Sequence, residues 1–238
     1  KYSKTMCARR VYESQALGNL ILSNYSIAVN NEFPNIFTVN DAQEATAILE
    51  RTSQEDIERL RAEGLRAVMT EHTVFERMDQ ILAFIGRVPE TRKHRLLVVV
   101  SQDGEAIREV INRQSLTPDE VVSADALTEQ TYDQADLVAW MDGQESYGEY
   151  YLEDLVNGFK YSDASIVRKG SEHPYHVQEM SGNRHGAIVW RSDILYDMFQ
   201  AGELNGKTLL LDQFEWNEQA VVPTNQTPQL SVVVPIYN

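Results

Sequence analysis

Two uninterrupted apolar runs, Leu96-Leu97-Val98-Val99-Val100 and Leu137-Val138-Ala139-Trp140-Met141, constrain this chain more than any other feature. Neither alternates apolar with polar residues, as a half-exposed strand would. Runs of this kind belong to central strands of a parallel sheet, covered on both faces. The covering helices are legible nearby. Ile107, Val110 and Ile111 share one helical face after the Asp103-Gly104 turn. Tyr151, Leu152, Leu155, Val156 and Phe159 do the same within 147–160. Val121-Val122, Ala187 to Trp190 and Leu209 to Leu211 read as further strands. The expected class is α/β, built on a central mostly parallel sheet.

The first third carries its own strand and helix signals. Residues 5–17 read as a helix ended by Gly18 in a left-handed cap. Leu20-Ile21-Leu22 and Ile36 to Val39 read as strands, and Asn40 or Asp41 can cap a helix over 42–51. Thr52 with Glu55 suggests a capping box before a helix that buries Ile57, Leu60, Gly64, Ala67 and Val68. Thr73 with Glu76 suggests another, before a helix that buries Phe75, Met78, Leu82 and Ile85 and stops at Gly86. The polar, proline-containing stretch 88–94 is the expected boundary, and 217–229, with Pro223 and Pro228, a second linker.

Charge and composition narrow the function classes. With 21 basic and 36 acidic side chains the net charge is −15, the opposite of the basic footprint that nucleic acid requires. Docking to anionic membranes is disfavoured for the same reason. No apolar run reaches the roughly 18 residues of a spanning helix, and no signal peptide is legible at Lys1. These features suggest a soluble cytoplasmic protein. The single cysteine, Cys7, excludes an intrachain disulfide and a cysteine-based zinc cluster, and is expected to be a buried thiol. The chain opens without Met and closes on the strand-like run 230–238, so we expect a piece of a longer, multidomain protein.

Three groups of residues could carry chemistry. Arg9, Arg10 and Glu13 fall within one helical turn. The Glu could accept hydrogen bonds from ribose hydroxyls and an Arg could meet a diphosphate. The alternative is an i,i+4 ion pair on a solvated face. Asp142 ends an apolar strand before Gly143-Gln144-Glu145-Ser146, where open α/β sheets bind ligands. A carboxylate there could hold a divalent cation and a diphosphate. The alternative is that Asp142, Glu145 and Ser146 satisfy free N–H groups at a helix start or turn. Asp125, after the second strand, could lend a further carboxylate. His173, His176 and His185 lie around Pro174 in loop-like sequence, without a carboxylate orienter in view, and read as exposed rather than as metal ligands.

A family resemblance joins these observations. The segment Met6-Cys7-Ala8-Arg9-Arg10-Val11-Tyr12-Glu13 through Ser23 resembles the "RVFE-x-x-A-x-G" segment of GT-B glycosyltransferases of the spore-maturation-protein-like group. Glu71-His72-Thr73-Val74-Phe75-Glu76-Arg77 resembles their final "EHT-(Y/F)-x-x-R" helix. The resemblance implies that residues 1–87 are the C-terminal part of a Rossmann-like nucleotide-sugar-binding domain, with Glu13 at the donor ribose and Arg9 and Arg10 beside it. Residues 95–216 resemble a shortened family 2 glycosyltransferase module of GT-A type. Val138 to Ser146 stands where that family has "hhhLDxDD", and Tyr150-Tyr151-Leu152-Glu153-Asp154-Leu155 resembles its "P-x-x-L-E" helix.

The Asp-x-Asp pattern is incomplete. Asp142 remains, but its partner position holds Gln144, an amide that binds hard cations poorly. Residues 217–238 would be a linker and the "SVVIPVYN"-like first strand of a further family 2 domain. The resemblance thus implies part of a glycosyltransferase that moves a sugar from a nucleotide-sugar donor to a glycan or other hydroxyl acceptor. Asp142 and Asp125 would lie on the donor side, with Mn²⁺ or Mg²⁺ at Asp142 as the cofactor the family would use. The isolated segment is expected to be inactive. A non-catalytic spacer between active domains is the competing expectation.

Overall fold

The structure, a computed structural model, describes residues 7–88, 94–171 and 173–218. The expected linker 88–94 lies mostly, and the run 230–238 wholly, outside the described residues.

The N-terminal layer runs α1 (Arg9–Ala16), β1 (Leu22–Ser23), α2 (Ile27–Glu32), β2 (Phe37–Thr38), α3 (Ala42–Arg51), α4 (Gln54–Glu71) and α5 (Val74–Phe84). Local signals set several of its boundaries. Gly18 ends α1 with φ of 63°, a conformation that costs glycine little. Asp41 caps α3 by accepting from the Glu44 backbone N–H. The capping box of α4 is Ser53 with Asp56, one residue beyond the expected Thr52 and Glu55. The Thr52 hydroxyl instead donates to the Ile48 carbonyl and closes α3. β1 and β2 form a parallel pair only two residues long. The core of this layer is small: Val11, Val29, Phe33, Ile36 and Val68.

The stripe on α5 is a correction to the sequence expectation. No residue of α5 is buried. Phe75 is 66% exposed, Phe84 92% and Ile85 61%. The helical rhythm is present, but no element among the described residues packs over it.

The second layer is larger. It runs β3 (Leu96–Val100), α6 (Glu105–Asn112), β4 (Glu120–Ser123), α7 (Glu129–Asp133), β5 (Leu137–Met141), β6 (Ser146–Tyr147), α8 (Tyr151–Gly158), β7 (Ile166–Arg168), β8 (His176–Asn183), β9 (Ala187–Trp190), α9 (Tyr196–Ala201), β10 (Glu203–Leu210) and β11 (Trp216–Asn217). Seven of these strands form one sheet in the order β4-β3-β5-β9-β7-β10-β8. β3, β4 and β5 are parallel, and so are β7 and β10. β9 is antiparallel to both β5 and β7, and β8 is antiparallel to β10. The sheet is therefore mixed, with β8 and β9 running against the other five strands.

Both apolar runs are central strands, and all their residues are buried. Alternate residues face opposite ways, as the pleat requires. Val98, Val100, Ala139 and Met141 pack with Ile107, Ile111, Leu152 and Leu155 of α6 and α8. Leu97, Val99, Val138 and Trp140 pack with Tyr132 and Phe199 of α7 and α9. Each large side chain so buried is worth about 1.5–3 kcal/mol.

The layers meet along α4 and α8 through buried charge. Arg66 Nε and Nη2 reach the two Asp154 oxygens at 2.6 and 2.9 Å, and the guanidinium lies 4.1 Å from the Tyr150 ring centroid. Lys169 Nζ, on a fully buried side chain, reaches Asp154 at 2.7 Å and Asp212 at 2.9 Å. The Tyr175 hydroxyl donates to the other Asp212 oxygen at 2.9 Å. Burial pushes the Asp154 carboxyl up, but Lys169 and Arg66 outweigh it and hold the group below its ordinary value. Asn157 donates to Thr70, which in turn donates to Glu153. Every partner in this seam is a charge or dipole already paired, which is the condition for burying it.

Candidate functional site

The carboxyl ends of β3, β4 and β5 form one rim. β3 lies between the other two, so Asp125, exposed in the short 3₁₀ turn Ala124–Ala126 after β4, sits two strand spacings from the end of β5. The two strand ends are thus roughly 10 Å apart, and no hydrogen bond or ion pair ties Asp125 to the residues around Asp142 among the described residues. A cleft of about 200 Å³ opens between β3, β4 and α6, lined by Val100, Asp103, Arg108, Asn112 and Ser123 among others. The Arg108 guanidinium and the Asp103 carboxylate pair across its mouth, Nε to Oδ1 at 2.6 Å.

Asp142 begins the turn that leaves β5. Its Oδ1 accepts the Gln144 backbone N–H at 2.9 Å, and its own N–H donates to the Tyr147 hydroxyl at 2.6 Å. The Gly143 N–H donates to the Ser101 hydroxyl at the end of β3. This is the turn-forming role that sequence offered as the alternative.

Glu145 is turned inward, its side chain only 3% exposed. One oxygen accepts the Tyr147 hydroxyl and, at 3.0 Å, the Trp216 indole N–H. The other pairs with His185 Nδ1. The Tyr147 hydroxyl is raised above its ordinary pKa, first by burial and then by the charges of Tyr151 and Glu145. Backbone shape matters here. Gly186 has φ of 63°, and a Cβ there would meet the Trp216 ring at 2.9 Å. Glycine lets the loop between β8 and β9 lie flat on that indole.

Arg184, from the same loop, covers Trp140 with its guanidinium 3.4 Å from the ring centroid. It donates to the carbonyls of Phe199 and Gln200 at 2.9 and 3.1 Å. Burial lowers its pKa, and the nearby Asp142 carboxylate acts in the opposite sense. Asp142, Arg184, His185 and Glu145 thus gather at one end of β5.

This donor set does not fit a divalent cation. Asp142 is a single carboxylate, Gln144 is neutral, and both Glu145 oxygens are engaged by N–H and O–H donors. Among the described residues no group of three or more His, Cys, Asp or Glu side chains is arranged to hold a metal ion.

The other sequence candidates lie elsewhere. Arg9 Nε meets Glu13 Oε1 at 2.6 Å on side chains 90% and 53% exposed. That is the solvated i,i+4 pair, and Arg10 beside it is exposed. His173 and His176 are exposed as expected, but His185 has the carboxylate orienter that sequence did not reveal. Nothing in the sequence ties Glu145 to His185, which are 40 residues apart. Arg184 and Trp216 were missed for the same reason. Cys7 is only partly buried, and burial raises its thiol pKa.

No protein-family model matches the chain, and no curated protein is significantly similar to it. No helix among the described residues is long and apolar enough to cross a membrane.

Proposed function

We propose that this chain is part of a glycosyltransferase that transfers a sugar from a nucleotide-sugar donor to an acceptor hydroxyl, with the donor bound at the carboxyl rim of β3, β4 and β5. One observation carries the reading. The rim joins an open cleft beside β3 and β4, polar groups at three strand ends and, past β5, a partly buried guanidinium, and in the order β4-β3-β5 the chain crosses from one side of β3 to the other at this rim. Crevices at such reversals of strand order are where α/β sheets bind ligands. Ser123, Asp103 and Arg108 line the side suited to a nucleoside. Arg184 supplies positive charge on the side of Asp142, where a diphosphate leaving group would need it. The GT-A-like identity of this layer and the GT-B-like identity of the N-terminal layer belong to the same proposal. In it, Glu13 remains an exposed carboxylate able to meet a ribose, and a cytoplasmic location suits a nucleotide-sugar donor.

The spacer reading has its own support in the paired seam at Arg66, Asp154, Lys169 and Asp212, which fastens the two layers together without needing a ligand. Calorimetric titration of the chain with nucleoside diphosphate hexoses, with and without Mn²⁺, separates the two. Saturable binding that needs no Mn²⁺ and is weakened in Arg184→Ala supports a donor site. Heats of dilution alone, for every donor tried, support the spacer.

A further inference from the structure

We propose that His185 is a general base, held in its working tautomer by Glu145; this rests on the donor site proposed above. The imidazole has one nitrogen committed. Nδ1 faces a carboxylate that is itself buried and fixed by the Tyr147 hydroxyl and the Trp216 indole. A carboxylate on Nδ1 keeps the proton there and leaves Nε2 as the acceptor. The ring is not sealed in: the His185 side chain is 34% exposed while Glu145 is 3% exposed. A buried orienter behind a solvent-reaching imidazole is the arrangement that proton abstraction needs.

The surroundings suit the task. Trp140 stands edge-on to the ring, 6.3 Å between centroids. Glu145 meets the ring itself; Tyr147 and Tyr151 act on Glu145, and Asp142 acts on Arg184, the residue before His185 in the loop. Arg168 anchors that loop by donating to the His185 carbonyl at 2.9 Å and to Asn183. The Tyr151 hydroxyl and Arg168 Nε are buried without a hydrogen-bond partner among the described residues, so the wall behind Glu145 is polar.

The step balances with the donor and acceptor named. The acceptor oxygen forms a bond to the anomeric carbon while the bond from that carbon to the diphosphate oxygen breaks. The bonding pair leaves with the diphosphate, and the acceptor proton passes to His185 Nε2. Glu145 is a positioning residue that never touches substrate.

The test uses the whole glycosyltransferase that carries this segment, in wild-type form and as His185→Asn, His185→Ala and Glu145→Gln. Donor affinity is read by calorimetry and turnover is read across pH. The expected result is a fall in kcat of about 100-fold or more for either His185 variant. Donor affinity should stay within twofold, and the acidic limb of the wild-type profile should disappear. Glu145→Gln should cause a smaller loss of kcat and release the ring proton from Nδ1, read in nitrogen NMR signals. Nitrogen NMR of the wild type should place the proton of the neutral ring on Nδ1. Wild-type kcat in both His185 variants, or a proton on Nε2, overturns the base while leaving the donor site standing. Failure of the wild type to bind any nucleotide sugar overturns both.

Discussion

The two layers of this molecule bury their polar and apolar groups in opposite ways. The sheet layer encloses its apolar runs completely and, at the seam, even buries Lys169 between two carboxylates. The N-terminal layer has a two-residue parallel strand pair, a core of a few side chains, and an apolar helix, α5, left open. Two-stranded sheets have little independent stability. The difference shows that the N-terminal layer draws its order from the seam with α8 as much as from its own core. It also explains why Glu145 is held fixed by three donors while Glu13 keeps only an exposed pair with Arg9.

The sharpest way to break this comparison is to remove the buried cation. Lys169→Met leaves Asp154 and Asp212 without their shared partner and should lower stability by about 3–5 kcal/mol in denaturant unfolding. A cost under 1 kcal/mol would mean that the buried Lys169 cluster does not support the sheet side of the seam. The next effect is the acid response. Asp154 has a depressed pKa in the folded state, so its contribution is complete above the ordinary carboxylate value, near 3.9. It is lost as pH falls through the lower folded value. Stability attributable to the seam should therefore be level from pH 7 to 5 and fall below about pH 4. Asp154→Asn should be less stable at neutral pH and show a shallower fall, measured by thermal unfolding across pH.

The smallest effects belong to the open surfaces. Phe84→Ser on α5 should change stability by under about 0.5 kcal/mol, because Phe84 is 92% exposed and gives up no packing. Glu13→Gln should be equally mild by thermal unfolding, since exposed ion pairs contribute little. If Glu13 holds the donor ribose in the whole protein, the same change weakens donor binding by about 1–3 kcal/mol. Loss of stability with unchanged donor affinity would return Glu13 to its ion pair with Arg9.

Much of the fold was legible because local chemistry decides it. The runs at 96–100 and 137–141, the Asp41 and Thr73 caps and the Gly18 and Gly86 stops all fell where the residues indicated. What was not legible depends on distant partners. β8, His176–Asn183, is an edge strand with mostly exposed side chains, so it has no apolar alternation and owes its shape to pairing with β10. The reversed direction of β9 cannot be read from Ala187 to Trp190, whose buried run looks like any central strand. The α5 stripe shows the converse: a strong helical rhythm states which face wants burial, not whether something covers it. The position of Asp142 at the end of β5 was legible from the apolar run before it. The Glu145–His185 pair was not, because only the fold brings the two loops together.

Amide hydrogen exchange of the chain, with and without a saturating nucleoside diphosphate hexose, tests the central claim most directly. The account predicts slowed exchange at the strand ends around 101–104, 123–125 and 142–146 and in the loop at 184–186. Helix α1, with Glu13, should show a smaller change in this chain. Protection confined to α1, or no protection anywhere at saturating donor, would contradict a donor site at the carboxyl rim of the sheet.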